Sequence, residues 1–445
     1  MDFIVKFAQT HQSFRLAEIE ALAVVEGVQL SVLEYNDNSP LCLVRLKSAQ
    51  EASRLIRRSI LAQSIHELWG QGANLDELHS SIKDRTASLW HHFRTPSFKF
   101  TIDSYQGTRS NQQRLAIINS FAYLPFEGSI RMSEPDHLFT IFEQWPYDSV
   151  PLGIEQPDRM LFGRLAGTSS RHEILRYDLK KRAYISTTSM DSELALVTAN
   201  LALAAPGKLF YDPFVGTGSL PIACAHFGAT CWGSDIDGRS IRGEGGSSSL
   251  RGNFDQYRLA HCLGDTFSAD LTHSPLRRTC ATWDGIICDP PYGVREGLRV
   301  LGLRDPQKTP WLVQQNIDNS SSPDFVPPKK PYSFMAMLDD ILAFASDTLV
   351  DNGRLSFWMP TANDEEQEIP IPLHPRLQLV VVCVQVFNKW SRRLITYQRL
   401  PNDQVSASAL EIYQQRTDVA NQGTTADELN PFRRGYFRKF EADNK

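Results

Sequence analysis

The feature that most constrains this chain is the run Asp212-Pro213-Phe214-Val215-Gly216-Thr217-Gly218. It lies between a short apolar strand, Leu209-Phe210-Tyr211, and a helical stretch from Ser219 to Phe227. A glycine pair at that junction lets the backbone turn tightly and approach a ligand, and the following helix end offers unpaired N–H groups. Strand, glycine turn and helix in that order belong to α/β folds with a mostly parallel sheet. The alternation continues downstream. Strands are predicted at Thr230–Ser234, Trp283–Cys288, Arg354–Met359, Leu377–Phe387 and Leu394–Arg399, and helices at Asp191–Leu203 and Ser333–Val350. The turn also excludes two nucleotide classes. A dinucleotide site asks for a third glycine three residues after the pair, where this chain has Pro221, and no GxxxxGK[ST] phosphate loop is present.

Four residues before the glycine pair stands Asp212. The next strand runs into Gly233-Ser234-Asp235-Ile236-Asp237, and Leu263-Gly264-Asp265 follows a third strand-like stretch. A carboxylate at the carboxyl end of the second strand accepts hydrogen bonds from ribose hydroxyls. An acid at the first strand suits a ligand with a cationic amino acid group and a sulfonium. Asp265 is positioned in sequence to take an adenine amino group. The set points to S-adenosyl-L-methionine, bound by Asp212, Phe214, Gly216, Gly218, Asp235, Ile236 and Asp265. Thr188 and Ser189 precede a helical run. They read either as a helix cap or as a turn at the methionine end of that ligand.

The second motif is Asp289-Pro290-Pro291-Tyr292, directly after Trp283–Cys288. Two prolines fix the backbone and end the strand, so the turn is rigid. Such a turn can present the Asp289 carboxylate to a substrate NH₂ and the Tyr292 ring to the face of a base, beside the methyl donor. The gain is chiefly alignment, with help from a hydrogen-bond acceptor. Asp289 thus faces both substrate and donor, and Asp289, Pro290, Pro291 and Tyr292 are the candidate catalytic residues.

The first 170 residues read differently, as β-α-β-β-α: a strand at residues 2–8, a helix at 13–25, strands at 28–34 and 40–46, and an amphipathic helix at 48–61. That order is typical of a ferredoxin-like unit. Helix is predicted over Asp76–Phe93 and Gln112–Ala122. Strands are predicted at Ser97–Ser104, Ser129–Met132, Leu138–Gln144 and Arg159–Arg164. Two stretches read as insertions: Gly243–Ser249, and residues 295 to about 330, which could close over substrate or form a surface loop. Net charge is −5, and residues 1–170 hold 16 Lys and Arg against 19 Asp and Glu. Bulk charge therefore announces no nucleic-acid binder. Contact with RNA would need local patches, for which Arg57-Arg58, Lys180-Lys181-Arg182, Lys329-Lys330, Arg392-Arg393 and Arg433-Arg434 are the candidates. The seven cysteines form no CxxC pair, and the histidines no HExxH, so reduced thiols and no metal site are expected. No apolar run spans a membrane, and the cytoplasm is the expected compartment.

The two motifs resemble class I methyltransferases that modify exocyclic nitrogens: DNA adenine, protein glutamine and RNA guanine N2 enzymes. Nearly the full chain resembles the eukaryotic THUMP-containing tRNA guanine-10 N2-methyltransferases. The resemblance rests on residues 182–190 (RAYISTTSM), 212–219 (DPFVGTGS), 233–239 (GSDIDGR), 289–296 (DPPYGVRE) and 387–394 (FNKWSRRL). It implies a ferredoxin-like domain over 1–75, a THUMP RNA-binding domain over 76–170, and a Rossmann-like methyltransferase domain over 171–445 with a seven-stranded, mostly parallel sheet. It also implies tRNA as partner, gripped by the THUMP part with Arg109, Arg114 and Arg131 as the candidate contacts, no DNA, and a heterodimer with a small zinc-binding activator that covers apolar surface at a sheet edge. A glutamine enzyme usually carries Asn where this chain has Asp289. A DNA enzyme is not expected to carry this N-terminal half. A catalytically silent RNA-binding scaffold would not be expected to keep Asp212, Gly216, Gly218, Asp235 and Asp289.

Overall fold

A computed structural model describes residues 1–294, 298–302, 328–362, 369–388, 390–415 and 428–433. The chain divides into two units, Met1–Glu173 and Ile174–Lys445.

The first unit runs β1 (Asp2–Phe7), α1 (Gln12–Glu26), β2 (Ser31–Tyr35), β3 (Leu41–Arg45), α2 (Ala49–Arg57), β4 (Ala62–Gly72), α3 (Leu75–Thr86), β5 (Phe98–Tyr105), α4 (Asn111–Asn119), β6 (His137–Gln144) and β7 (Arg159–Thr168). Its seven strands form one sheet, ordered β2-β3-β1-β4-β7-β6-β5. Only β5 and β6 pair in parallel. The first four strands follow the ferredoxin-like order, and the other three extend the same sheet from β4. The segments on either side of residue 75 therefore share one hydrogen-bonded ladder.

Sequence patterning did not reveal β4. Its alternation is blurred by His66 and Glu67, both buried. Glu67 meets Arg164 of β7 at 2.8 Å, and burial lowers the His66 pKa to about 3, with Lys6 adding to the effect. The helix expected over 48–61 stops at Arg57. The buried Glu18 carboxylate accepts from the amides of Ile60 (2.9 Å) and Leu61 (2.9 Å) and from the Ser59 hydroxyl (2.6 Å). Those amides are thereby satisfied outside a helix and the chain turns into β4. The helix expected over 76–93 tightens to a 3₁₀ stretch, Ala87–Phe93. At the change, the Thr86 hydroxyl bonds back to the Ile82 carbonyl (2.7 Å), a geometry that loosens helices. The strand expected at Ser129–Met132 is a single bridge between Ile130 and Phe98.

The second unit continues α5 (Glu173–Arg176), α6 (Ser192–Leu201), β8 (Leu209–Asp212), α7 (Ser219–His226), β9 (Thr230–Asp235), α8 (Gly238–Arg242), α9 (Leu250–Gln256), β10 (Leu263–Ser268) and β11 (Trp283–Cys288). It then runs through β12 (Arg299–Leu301), β13 (Lys329–Pro331), α10 (Phe334–Thr348), β14 (Leu349–Ala362), β15 (Leu377–Val386), β16 (Trp390–Arg399) and α11 (Ala407–Gln415). Its main sheet has the order β10-β9-β8-β11-β14-β16-β15. The first five strands are parallel, and β16 runs antiparallel between β14 and β15. This is the seven-stranded, mostly parallel sheet that the family resemblance implies. Tyr211, Ile286, Leu338, Ile341, Leu355, Phe357 and Tyr397 form its core between sheet and α10. Parallel strands are covered on both faces, which is why they read as unbroken apolar runs.

The stretch Gly243–Ser249, expected as a loose loop, closes a tight turn in which the Glu244 amide bonds to the Ser248 carbonyl (2.9 Å). The insertion expected over 295–330 is bounded by a ribbon of β12 and β13. Residues 303–327 lie outside the described part, as does any reading of them as a cover.

Candidate active site

The strand order reverses between β8 and β11: the chain proceeds outward one way through β9 and β10, and the other way through β14. Crevices open at the carboxyl ends of strands at such a point. Both sequence motifs leave the sheet there, Asp212 from β8 and Asp289 from β11. A cavity of about 450 Å³ lies between them. It is lined by residues 186–190, 214–217 and 289–292 together with Asp212, Ser219, Leu220, Asp235, Ile236 and Arg392.

The glycine turn is held by bonds within itself and from the end of β9. Asp212 accepts from the Phe214 amide (2.9 Å), and Asp235 accepts from the Gly216 amide (3.0 Å) and the Asp237 amide (2.8 Å). Gly216 and Gly218 sit at φ +49° and +85°, a region costly for residues with a Cβ. Gly218 does not touch the cavity. It starts α7, and a Cβ there would press on Leu250. Thr188 and Ser189 are not the helix cap. Asp191 caps α6 by accepting from the Leu194 amide at 3.0 Å. Ser189 instead pairs with Thr217 (2.8 Å), fastening the 186–190 segment to the glycine turn. Behind the turn, the buried Arg182 donates to the hydroxyl of cavity-lining Ser219 at 2.7 Å.

Asp265 is displaced from its expected place. It is exposed on β10, its carboxylate engages the next residue's amide (2.8 Å), and it lines no part of the cavity. The sequence suggests a strand that ends before Leu263, whereas β10 begins there and continues to Ser268, with a register shift between Leu263 and Thr266. The acid just past the strand end is Asp270, which is buried and accepts from the amides of Thr272 (2.8 Å) and Leu301 (2.9 Å).

On the other wall, the Tyr292 hydroxyl donates to Asp289 Oδ1 at 2.6 Å. Arg392 faces Asp289 Oδ2 at 3.9 Å. Tyr292 packs edge-on to Trp390, with ring centres 6.1 Å apart. A short C-terminal stretch holds this turn in place. Asn430 donates to the Tyr292 carbonyl (2.8 Å), and Arg433 donates to the carbonyls of Gly293 (2.9 Å) and Val294 (2.5 Å). No local sequence signal points to Asn430, which lies 138 residues from the carbonyl it bonds.

The electrostatics of the cavity are one-sided. Burial holds the Asp212 carboxyl well above its ordinary pKa, and the charges of Asp235 and Asp289 add to it. Burial likewise raises Asp235. It raises Asp289 too, against the opposing pull of Arg392 and of the Tyr292 hydroxyl. Three carboxylates thus converge on one space with little compensation, which suits a ligand that brings positive charge.

The cationic candidates for RNA contact separate clearly. Arg109 is spent in the first unit's core: it bonds Glu143 (3.1 Å), the Glu155 carbonyl (3.2 Å) and Gln156 (3.4 Å), and lies over Trp145. Arg393 is buried and donates to the Ile369 carbonyl. Neither presents its charge to solvent, because a buried guanidinium must be bonded internally. Arg114, Arg131, Lys180 and Lys181 are exposed, with Lys181 bonded to the Leu175 carbonyl at 2.6 Å. Arg392 lines the cavity.

A doubly covered parallel sheet with an acidic glycine turn and a rigid Asp-Pro-Pro-Tyr turn at its switch point defines a class I methyltransferase site. Residues 180–299 match the family described as RMKL-like, methyltransferase domain, and residues 1–171 match Tmrp11 THUMP N-terminal domain. The chain is 43% identical over 401 residues to the tRNA (guanine(10)-N(2))-methyltransferase of Saccharomyces cerevisiae, covering 89% of this chain and 92% of that protein. It is 38% identical to the Schizosaccharomyces pombe enzyme of the same name over 442 residues, 91% of each chain. Against the human one it is 35% identical over 415 residues, 89% of this chain and 88% of that one. The chain belongs to the tRNA (guanine(10)-N(2))-methyltransferase family and is an S-adenosylmethionine-dependent enzyme.

Proposed function

We propose that this chain transfers a methyl group from S-adenosylmethionine to the exocyclic N2 of guanine 10 in tRNA, as the catalytic subunit of a heterodimer with a small zinc-binding activator. The observation that carries the chemistry is the convergence of Asp212, Asp235 and Asp289 on one cavity beside a rigid Asp-Pro-Pro-Tyr turn. The position within tRNA rests on the names of the relatives.

The donor supplies an electrophilic methyl carbon on a cationic sulfur. Asp212 offers negative charge to its cationic end, the Gly216 and Thr217 backbone allows close approach, and Asp235 accepts from the ribose hydroxyls. Ser189, Thr188 and Phe214 border the same space, with Ile236 at its edge. Asp289 accepts a hydrogen bond from the guanine amine, so that the nitrogen lone pair points across the cavity. With the donor bound, its methyl would pass from sulfur to the amine nitrogen, and Asp289 stands on the side where it would take the proton the amine releases. Correct orientation alone can contribute about 7–11 kcal/mol to such a step.

The exposed Arg114, Arg131, Lys180 and Lys181 are the tRNA contacts of this reading, while Arg109 and Arg393 serve the fold. The activator has two sheet edges to use, β10 and β15. Of these, β15 exposes Leu379, Val380 and Val386. The seven cysteines are free, in keeping with the cytoplasm.

The test is transfer of label from S-adenosylmethionine to unmodified tRNA, with and without the activator, followed by nucleoside analysis. N2-methylguanosine formed by the pair and not by the chain alone is the expected result. Label in DNA or protein, with none in tRNA, would overturn the substrate.

A further inference from the structure

Arg392 sits where its chemistry can choose the base. It lies near the start of β16, which runs antiparallel to β14 and pairs Arg392 with Pro360 on one side and Gln385 on the other. That direction brings the start of β16 to the same sheet end from which Asp212 and Asp289 emerge. The guanidinium is fixed on three sides. Its Nε donates to Gln385 at 2.6 Å. Its plane lies over Trp358, 4.6 Å from the ring centre. One terminal nitrogen meets Asp191 at 3.5 Å. The other, Nη1, faces Asp289 Oδ2 across 3.9 Å, too far for a direct hydrogen bond. A cation on an aromatic face, braced at two nitrogens, presents a pre-oriented donor at little entropic cost.

On this wall of the cavity Asp289 turns Oδ1 to the Tyr292 hydroxyl and Oδ2 toward Arg392 Nη1, and the guanidinium also lies beside the Tyr292 hydroxyl. Beside the methyl donor the wall therefore offers two acceptors and then a donor. The pairing edge of guanine offers the complement: the N2 amine and N1–H as donors, then O6 as acceptor. Adenine would set its N1 lone pair against a carboxylate, and cytosine its N3 lone pair. We infer that Arg392 is a specificity residue that donates to guanine O6 while Asp289 accepts from N1–H and N2–H. The inference rests on the guanine N2 reading above and adds the means by which the base is chosen. A site that hydrogen-bonds a substrate group discriminates strongly against an analogue that lacks it.

The experiment uses the chain with its activator and tRNA carrying either guanosine or 6-thioguanosine at the target position. Sulfur keeps the amine and N1–H but accepts a hydrogen bond poorly. For the unaltered chain, kcat/KM is expected to be about tenfold lower on the thio substrate, the size of one weakened charge-assisted hydrogen bond. Arg392→Gln is expected to be slower on guanosine and to lose the thio penalty, with S-adenosylhomocysteine affinity within about threefold of the parent. Arg392→Lys retains a donor and is expected to keep part of the penalty, which serves if the Gln variant does not fold. An absent penalty in the unaltered chain overturns the inference, as does an unchanged penalty in Arg392→Gln. Both of those results still show N2-methylguanosine. Absence of N2-methylation from both substrates would overturn the underlying reading as well.

Discussion

Each unit has a seven-stranded sheet that buries acids, and the two treat them in opposite ways. In the first unit, Glu143 accepts from Arg109 (3.1 Å), Ser104 (2.6 Å) and Trp145 (3.2 Å). Glu67 holds Arg164 at 2.8 Å, and Glu18 receives two amides and a hydroxyl. In the second unit, Asp212 receives one backbone amide, Asp235 two amides and the Ser240 hydroxyl, and Asp289 a tyrosine hydroxyl, and burial raises all three pKa values. A buried acid with a full set of donors holds the fold. A cluster facing a cavity with an incomplete set is arranged for a charged visitor.

That contrast can be broken by exchanging the expected consequences. Glu143→Ala leaves Arg109 buried without its partner. It should lower stability by about 3–5 kcal/mol, a fall in melting temperature on the order of 10 °C, with S-adenosylmethionine affinity of the folded protein unchanged. A melting curve and a binding isotherm together decide it, and lost affinity without lost stability would reverse the roles. Asp235→Ala should do the opposite, weakening donor binding about 30-fold through loss of a charge-assisted contact. Its melting temperature without ligand should change little.

A milder test uses pH. Asp212 and Asp235 have raised pKa values, so they favour the folded ligand-free state most fully below their unfolded values near 3.8. That contribution disappears as pH rises through the raised values. A cationic ligand prefers them ionised. Affinity for S-adenosylmethionine should therefore rise with pH, from the ordinary carboxylate range up through the raised values. Affinity for S-adenosylhomocysteine, which lacks the cationic sulfur, should rise less. Parallel titrations read the difference, and equal slopes would mean that the acids do not face the sulfonium. The smallest effect belongs to Asn430→Ala, which frees the Tyr292 carbonyl from its clamp. It should lower kcat several-fold, about 1 kcal/mol, and leave KM for the donor unchanged.

Much of the catalytic unit was legible because its signals are local. The bonds from Asp212 to Phe214, from Asp235 to Asp237 and from Tyr292 to Asp289 span two or three residues each. A motif can encode contacts of that length. The mostly parallel sheet followed from alternation of apolar runs and helices. The misreadings share a different cause. β4 carries His66 and Glu67, made acceptable by packing and by Arg164, 97 residues from its partner. Arg109 looked like a surface cation, and its partner Glu143 is 34 residues away. Asp265 was assigned by counting from a strand whose end lies later, and Asn430 has no local mark at all. Long-range pairing of buried charges decides these cases, and a single sequence does not display it.

The most direct measurement of the central claim is a pair of readings on Asp289→Ala in the presence of the activator and unmodified tRNA. One is S-adenosylhomocysteine affinity, and the other is the single-turnover rate of N2-methylguanosine formation. Affinity within about threefold of the parent, with a rate at least about a thousandfold lower, is expected if Asp289 aligns the amine. A near-parental rate would contradict it, and would remove the Asp-Pro-Pro-Tyr turn from the chemistry.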